Sequence, residues 1–172
     1  MDSVAQTGDP APQFELMGLD GQAHSLRDWR GSIVVLNFWS AECVHSRRAD
    51  TVLEELIPEW GDSVSLWCIV SNENEDDELV KSAARNDKID RLLRDRNHEV
   101  ADSYGAVTTP HIFVIDGEGV LRYAGGLDDV SLRQRAPTRN YLSEAVGAVR
   151  KGLSPEPSET PSFGCAIIRH AI

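Results

Sequence analysis

The sequence predicts an α/β protein with a central mixed β-sheet that helices flank on both faces. The run Ile33–Phe38 is almost entirely apolar and rich in β-branched residues, which is typical of a short strand covered on both faces. After Cys43, apolar residues recur at helical spacing as far as Trp60, and Gly61 ends that helix. A buried strand that leads into an amphipathic helix is a building unit of such a sheet.

The remaining elements extend this order to β-α-β-α-β-β-α. A second buried strand is predicted at Val64–Val70, and a β-hairpin follows from the turn chemistry of Asp116–Gly119. The hairpin strands are His111–Ile115 and Val120–Ala124, and a further short strand is expected at Ile89–Leu93. Helices are predicted from the acidic stretch Ser71–Glu78 to about Asn86, at Glu99–Tyr104, and from about Thr138 to Lys151, with Gly152 as the last one's stop.

The chain divides by composition into two parts. Residues 1–153 carry the predicted strands and helices and form one domain, while 154–172 form a Pro-rich linker and a cysteine-containing tail. The linker Ser154–Pro161 is expected to be extended and stiff. The tail after it is apolar enough to dock back on the domain.

The charge balance excludes two classes of partner. The chain has 172 residues and a formal charge of −11, which disfavours binding to nucleic acid or to an anionic membrane. Met1–Pro10 lacks the basic and apolar regions of an export signal. We therefore expect a cytoplasmic protein, where a cysteine that matters is more often reactive than structural.

Cys43 is the leading candidate for a reactive group. It follows strand Ile33–Phe38 after a short link and begins the next helix. Free N–H groups and the positive end of the helix dipole favour thiolate over thiol at that position. The neighbouring Glu42 opposes ionisation, whereas Arg47 and Arg48 in the first turn favour it. The alternative is a buried, inert cysteine.

Two neighbours of Cys43 could shape its chemistry. Ser46 stands where a Cys-x-x-Cys motif has its second cysteine, so no local disulfide can form. Its hydroxyl could hydrogen-bond the thiolate or cap the helix. His45 could tune the thiol or face solvent, and the sequence does not choose between these interpretations.

The order of motifs identifies a resemblance. Several stretches, in this order along the chain, resemble the redoxin branch of the thioredoxin superfamily. They are GDPAPQFEL with LDGQAHSLRDWRG, then VVLNFWSAECVHS, then ADSYGAVTTPHIFVIDGEGVLRYAGGLDD, and finally TPSFGCAI. The nearest groups are the alkyl hydroperoxide reductase/thiol-specific antioxidant proteins and the TlpA-like thiol-disulfide reductases of cytochrome maturation. The resemblance covers essentially the whole chain. It implies the thioredoxin fold, a redox-active Cys43, and a cis Thr109–Pro110 bond beside it, an X-Pro bond being the one place where cis is accessible.

The departures from the family patterns bear on the activity. Disulfide-shuttling members carry Cys-x-x-Cys, whereas this chain has Cys43 and Ser46. Peroxiredoxins carry Pro-x-x-x-Thr/Ser-x-x-Cys; Ser40 fits the hydroxyl position, but Leu36 replaces the proline. Trp39 agrees better with the reductase branch.

The other two cysteines differ in setting. Cys165 follows Gly164 on the tail and could act as the resolving partner of Cys43, or it could be an incidental thiol. Cys68 lies inside an apolar strand and is interpreted as core. The histidines lack ligand spacing and no phosphate loop is present, so no metal and no cofactor are expected.

These observations favour a thiol-dependent oxidoreductase that acts through Cys43. Its partners would be a thiol or disulfide protein, or a small oxidant such as peroxide, together with an external thiol reductant. One alternative is a peroxiredoxin-type peroxidase in which Cys43 is peroxidatic and Cys165 resolving. The other is a non-catalytic interaction module, because fold alone does not establish function.

Overall fold

A seven-stranded mixed sheet forms the centre of the protein. The computed structural model describes residues 3–170, so the ends of both predicted segments, 1–2 and 171–172, lie outside the described residues. The strands of the described residues are β1 (Glu15–Gly18), β2 (Ala23–Ser25), β3 (Ile33–Phe38), β4 (Val64–Val70), β5 (Leu92–Arg94), β6 (Thr108–Thr109), β7 (His111–Ile115), β8 (Leu121–Gly125) and β9 (Cys165–Ala166). Of these, β6 and β9 pair with each other outside the large sheet. The helices are α1 (Val44–Trp60), α2 (Asp77–Asn86), α3 (Glu99–Tyr104) and α4 (Tyr141–Arg150).

The strand order explains why β3 reads as an uninterrupted apolar run. The large sheet has the order β2-β1-β5-β4-β3-β7-β8, so β3 is internal. It pairs in parallel with β4 and antiparallel with β7. Its residues Val35, Leu36 and Phe38 are fully buried, and the predicted α/β fold with a mixed sheet is confirmed.

Helices cover both faces of the sheet, as predicted. On one face, α1 and α4 pack on Val35, Ile112 and Val114, and α2 packs nearby on Val70. On the other face, α3 and the short 3₁₀ helix Leu26–Trp29 pack against the second apolar cluster. Among residues 3–170, no helix is both long and apolar enough to cross a membrane.

Several predicted boundaries move for local reasons. The short strand expected at Ile89–Leu93 is instead β5, Leu92–Arg94, because only this segment pairs with β4 and β1. The second hairpin strand is Leu121–Gly125 rather than Val120–Ala124. Asp116 accepts hydrogen bonds from the N–H groups of Glu118 and Val120, which keeps Val120 in the turn.

Two helices begin later than predicted because a capping residue sets their first turn. The side chain of Asp76 accepts from the N–H of Leu79 and that of Asn140 from Ser143, as N-cap residues do. Thr138, the expected start of α4, is held by Asp129 instead. At the other end, α4 stops at Arg150, and Gly152 follows with φ +72°.

The linker 154–161 lies along the domain rather than standing away from it. The N–H of Ala124 donates to Ser158 O, and the N–H of Thr160 donates to Ala124 O. The linker therefore pairs with β8 and carries the tail across the molecule. Within the tail, β9 pairs antiparallel with β6.

Candidate active site

Cys43 is the N-cap residue of α1 and lies at the end of the link that follows β3. Its backbone is extended, with φ −90° and ψ 119°, and its side chain makes no cap hydrogen bond. The residue is only 2% exposed. Its Sγ lies 3.1 Å from the carbonyl oxygen of Thr109, to which the protonated thiol donates.

The Thr109 side of the site comes from β6, the short strand that leads into β7. Thr109 ends β6, and the Thr109–Pro110 peptide bond is cis immediately before β7. Because β7 pairs with β3, Thr109 is held beside the residues that follow β3. The Thr109 hydroxyl oxygen is buried and has no hydrogen-bond partner among the described residues, so it is available to donate to a Cys43 thiolate.

The surroundings of Cys43 stabilise its thiolate. Burial raises the pKa of this thiol, but hydrogen bonds with the side chains of Cys165 and Thr109 lower it. The backbone N–H groups of Ser46 and Cys165 lower it further, so that the pKa lies below its ordinary value. The same site therefore hides the sulfur from solvent and favours its nucleophilic form.

Cys165 lies directly opposite Thr109 in the β6–β9 pair. A Cβ added to its neighbour Gly164 would lie 2.1 Å from Thr109 O, so only glycine permits this approach of the two backbones. Unlike Cys43, Cys165 is exposed. Burial first, and then the hydrogen bond and charge of Cys43, raise its pKa to about 11.

Contacts on both sides of β9 hold the tail in place. The Phe163 ring meets the His45 ring edge-on with centroids 4.8 Å apart. Ile167 is 7% exposed and joins the core cluster. The N–H of Ile168 donates to the side chain of Asn72 over 2.7 Å, and Arg169 forms an ion pair with Asp102.

Ser46 and His45 make contacts on the two sides of Cys43. The Ser46 hydroxyl accepts a hydrogen bond from the N–H of Ser40 over 3.3 Å. It therefore holds the link before Cys43 in place, while the backbone N–H of Ser46 lowers the pKa of the Cys43 thiol. The His45 ring is half-buried against Phe163 of the tail.

Ser40 and Glu42 converge on a residue that the sequence analysis overlooked. The Ser40 hydroxyl and the Glu42 N–H both donate to the buried carboxylate of Glu75. Arg94 in turn donates to Glu75 O over 2.8 Å. Glu75 belongs to the acidic stretch that precedes α2, and it is buried because the fold brings this loop beneath residues 40–42.

Trp39 is buried behind the site, at 1% exposure. Its indole N–H donates to the carboxylate of Asp50 on α1 over 2.8 Å. Burial raises the pKa of Asp50 to about 7, against the lowering effect of the Trp39 hydrogen bond. Trp39 therefore ties the end of the β3 segment to α1 below Cys43.

The two arginines that follow Cys43 lie in different surroundings. Arg48 pairs with Asp128 through two hydrogen bonds of 2.8 and 3.0 Å, so its charge is balanced there. Arg47 is exposed. The leading causes that lower the pKa of Cys43 are hydrogen bonds with Cys165, Thr109 and Ser46.

The remaining cysteine and histidine lie in the core. Cys68 is 2% exposed in β4, and burial raises its pKa far above the ordinary value. His111 accepts a hydrogen bond at Nδ1 from the N–H of Val107 and stacks on Phe113. Burial lowers the pKa of His111 to about 4, so that it is neutral at physiological pH. Within residues 3–170 there is no cluster of three or more His, Cys, Asp or Glu that could hold a metal ion.

This fold and site define a thioredoxin-fold oxidoreductase. Residues 7–124 match the model of the AhpC/TSA family, and the chain belongs to that family. It is similar to the thiol-disulfide oxidoreductase ResA of Geobacillus thermodenitrificans, with 32% identity over 70% of this chain and 69% of that protein. It is also similar to the thioredoxin-like protein YneN of Bacillus subtilis, with 30% identity over 68% of this chain and 69% of that protein.

A solved structure resembles the chain over nearly its whole length. It is that of a hypothetical protein from Sinorhizobium meliloti, with a TM-score of 0.82 and 25% identity over 99% of this chain and 98% of that one. The thioredoxin domain of a thiol-disulfide oxidoreductase from Bacteroides vulgatus has a TM-score of 0.66 and 24% identity, over 86% of this chain and 98% of that one. The second likeness supports the fold alone.

Proposed function

We propose that the protein is a thiol-disulfide oxidoreductase whose redox pair is Cys43 and Cys165. The observation that carries this proposal is the placement of Cys165 opposite Thr109, whose carbonyl oxygen is 3.1 Å from Cys43 Sγ. Cys165 on the tail thus supplies the second thiol, which in a Cys-x-x-Cys motif comes from the second cysteine. The relatives named thiol-disulfide oxidoreductase support the same reaction class.

The first step is attack by the Cys43 thiolate on one sulfur of a substrate disulfide. The substrate S–S bond breaks, a mixed disulfide forms at Cys43, and the released substrate thiolate takes up a proton. The Thr109 hydroxyl and the Ser46 N–H stabilise the attacking thiolate. Because Cys43 is 2% exposed beneath β9, the tail shifts to admit the substrate.

The second step regenerates a free substrate and uses the tail. Cys165 loses its proton and attacks Cys43 Sγ, and the second substrate sulfur leaves as a thiolate. The two cysteines have then given two electrons to the substrate and are joined as a disulfide. An external thiol must return those electrons before the next turnover.

The peroxidase alternative would begin from the same thiolate. Attack on a peroxide O–O bond would give a sulfenic acid at Cys43, which Cys165 would convert to a disulfide. Peroxiredoxins place a hydroxyl next to the sulfur for this step, but the Ser40 hydroxyl donates to Glu75 instead. A disulfide substrate is therefore the better match for this site.

Oxidised glutathione tests the proposal because each step leaves a different product. Reduced wild type should release two equivalents of glutathione and carry none. Cys165→Ser should release one equivalent and retain glutathione on Cys43, and Cys43→Ser should release none. Retention of one glutathione on Cys43 of the wild type, equal to that in Cys165→Ser, would contradict a resolving role for Cys165.

A further inference from the structure

The two cysteines of the proposed pair face different surroundings. Cys43 is the buried member of the pair. It is 2% exposed and lies between the first turn of α1 and Thr109. Cys165 lies on an exposed strand. A disulfide between them would therefore present only one of its two sulfurs to solvent.

We infer that the external thiol that reduces the pair attacks Cys165 Sγ and expels the sulfur of Cys43, so that its mixed disulfide forms on the tail. This inference rests on the proposed function, since it requires a Cys43–Cys165 disulfide. It assigns to Cys165 a second role, that of the entry point for electrons. It also defines the donor as a nucleophilic thiol that approaches the β9 surface.

Access for the attacking thiolate supports this assignment. A thiolate attacks a disulfide sulfur from the side opposite the leaving sulfur. Cys43 is only 2% exposed, so an external thiolate has little room to approach its sulfur. Cys165 is exposed, so a thiolate can approach its sulfur from solvent.

Attack on Cys165 also expels the better leaving group, which is the sulfur of Cys43. Expelled Cys43 becomes a thiolate that receives hydrogen bonds from the Thr109 side chain and the Ser46 N–H. Disulfide exchange is faster when the leaving thiol has the lower pKa. Expelled Cys165 would be the poorer leaving group, because its pKa is raised to about 11.

The reduction balances over two exchanges. The donor thiolate forms an S–S bond with Cys165, and the Cys43–Cys165 bond breaks to give the Cys43 thiolate. A second donor thiol then attacks the donor sulfur of the mixed disulfide. The two donor sulfurs form a donor disulfide, and Cys165 leaves as a thiolate that takes up a proton. Two thiols have lost two electrons, and the pair has gained them.

Glutathione is the first probe of this path. Oxidised wild type is mixed with reduced glutathione, quenched at successive times with N-ethylmaleimide at low pH, and mapped by mass spectrometry. The expected early species carries glutathione on Cys165 and maleimide on Cys43. Extrapolated to zero time, it should exceed the reverse species at least tenfold.

A protein donor gives the second arm. A thioredoxin that keeps only its first active-site cysteine should be trapped on the Cys165 peptide and not on the Cys43 peptide. Trapping of either donor mainly on Cys43 would overturn the inference while leaving the redox pair intact. Failure of the oxidised starting protein to contain a Cys43–Cys165 peptide would overturn the proposed function and the inference together.

Discussion

At the scale of single residues, the site works through short hydrogen-bonding contacts to one sulfur. Thr109, Ser46 and Cys165 together outweigh the burial of Cys43 and lower its pKa. None of these groups is a cation, and Arg48, one of the two arginines in the first turns of α1, is paired with Asp128. Thiolate stabilisation at this site therefore depends on neutral donors held in place by the fold.

Replacing Cys165 should raise the pKa of Cys43. Cys165→Ala removes a hydrogen-bonding side chain, whereas Cys165→Ser keeps a hydroxyl donor, so the rise should be larger for alanine. The measurement is the pH dependence of Cys43 alkylation by iodoacetamide, followed by peptide mapping. An unchanged or lower pKa in Cys165→Ala would show that the tail thiol does not stabilise the thiolate.

Asp50→Asn should stabilise the protein at neutral and alkaline pH. The folded-state pKa of Asp50 is raised to about 7 from 3.8, so between these pH values the unfolded state ionises first and wild-type stability falls. One pKa unit corresponds to about 1.4 kcal/mol, which limits the gain to about 4 kcal/mol above pH 7. Urea unfolding at pH 4 and pH 8 checks this, and an equal effect at both pH values would contradict it.

At the scale of elements, the short strand β9 decides whether Cys43 is covered. Its two residues pair with β6, while Phe163 and Ile167 anchor it on either side. Gly164 is the position that allows this approach, because a Cβ there would meet Thr109 O at 2.1 Å.

Gly164→Ala should therefore unseat β9 and uncover Cys43. Alkylation of Cys43 should become faster, by roughly tenfold, and oxidation to the Cys43–Cys165 disulfide should become slower. Gly147→Ala is a matched control, because a Cβ at that helical position meets nothing within 4 Å and alanine favours helix. Equal alkylation rates in wild type and Gly164→Ala would show that β9 does not limit access.

Sequence periodicity predicted the longer strands because the residues with an apolar pattern are the ones that the fold buries. β3, β4 and β7 have the predicted bounds, since each is a mostly apolar run inside the sheet and β3 and β7 are almost wholly buried. Helix starts were less predictable, because a single cap such as Asp76 or Asn140 decides them.

Within the site, the chain pattern located Cys43 at the start of α1 but could not reveal the contacts that hold the link before it. Glu75, 35 positions from Ser40, reaches the link before Cys43 only because the fold places its loop there. The direction of the Ser46 hydroxyl toward Ser40 likewise depends on side-chain packing. Such contacts leave no periodic signal in the sequence.

At the scale of the whole molecule, the site joins distant parts of the chain across one edge of the sheet. α1 supplies Cys43, the segment before β7 supplies Thr109, and the tail returns along β8 to supply Cys165. A disulfide between the two cysteines would close a loop that spans most of the protein.

Oxidation should consequently stabilise the fold. A cross-link that closes a loop of more than 100 residues restricts the unfolded chain, with an entropic contribution of up to about 5 kcal/mol and commonly about 2–4 kcal/mol. The oxidised protein should unfold at higher urea concentration than the reduced protein. Cys165→Ser treated with the same oxidant is the control, and an equal increase in that variant would exclude the disulfide as the cause.

The most direct test of the central claim is peptide mapping of the protein after mild oxidation. Digestion without reductant should yield one linked species that contains the Cys43 and Cys165 peptides, while the Cys68 peptide remains free. Cys68→Ala should give the same linked species, and Cys165→Ser should give none. A wild-type protein that is fully oxidised at Cys43 yet contains no Cys43–Cys165 peptide would contradict the account.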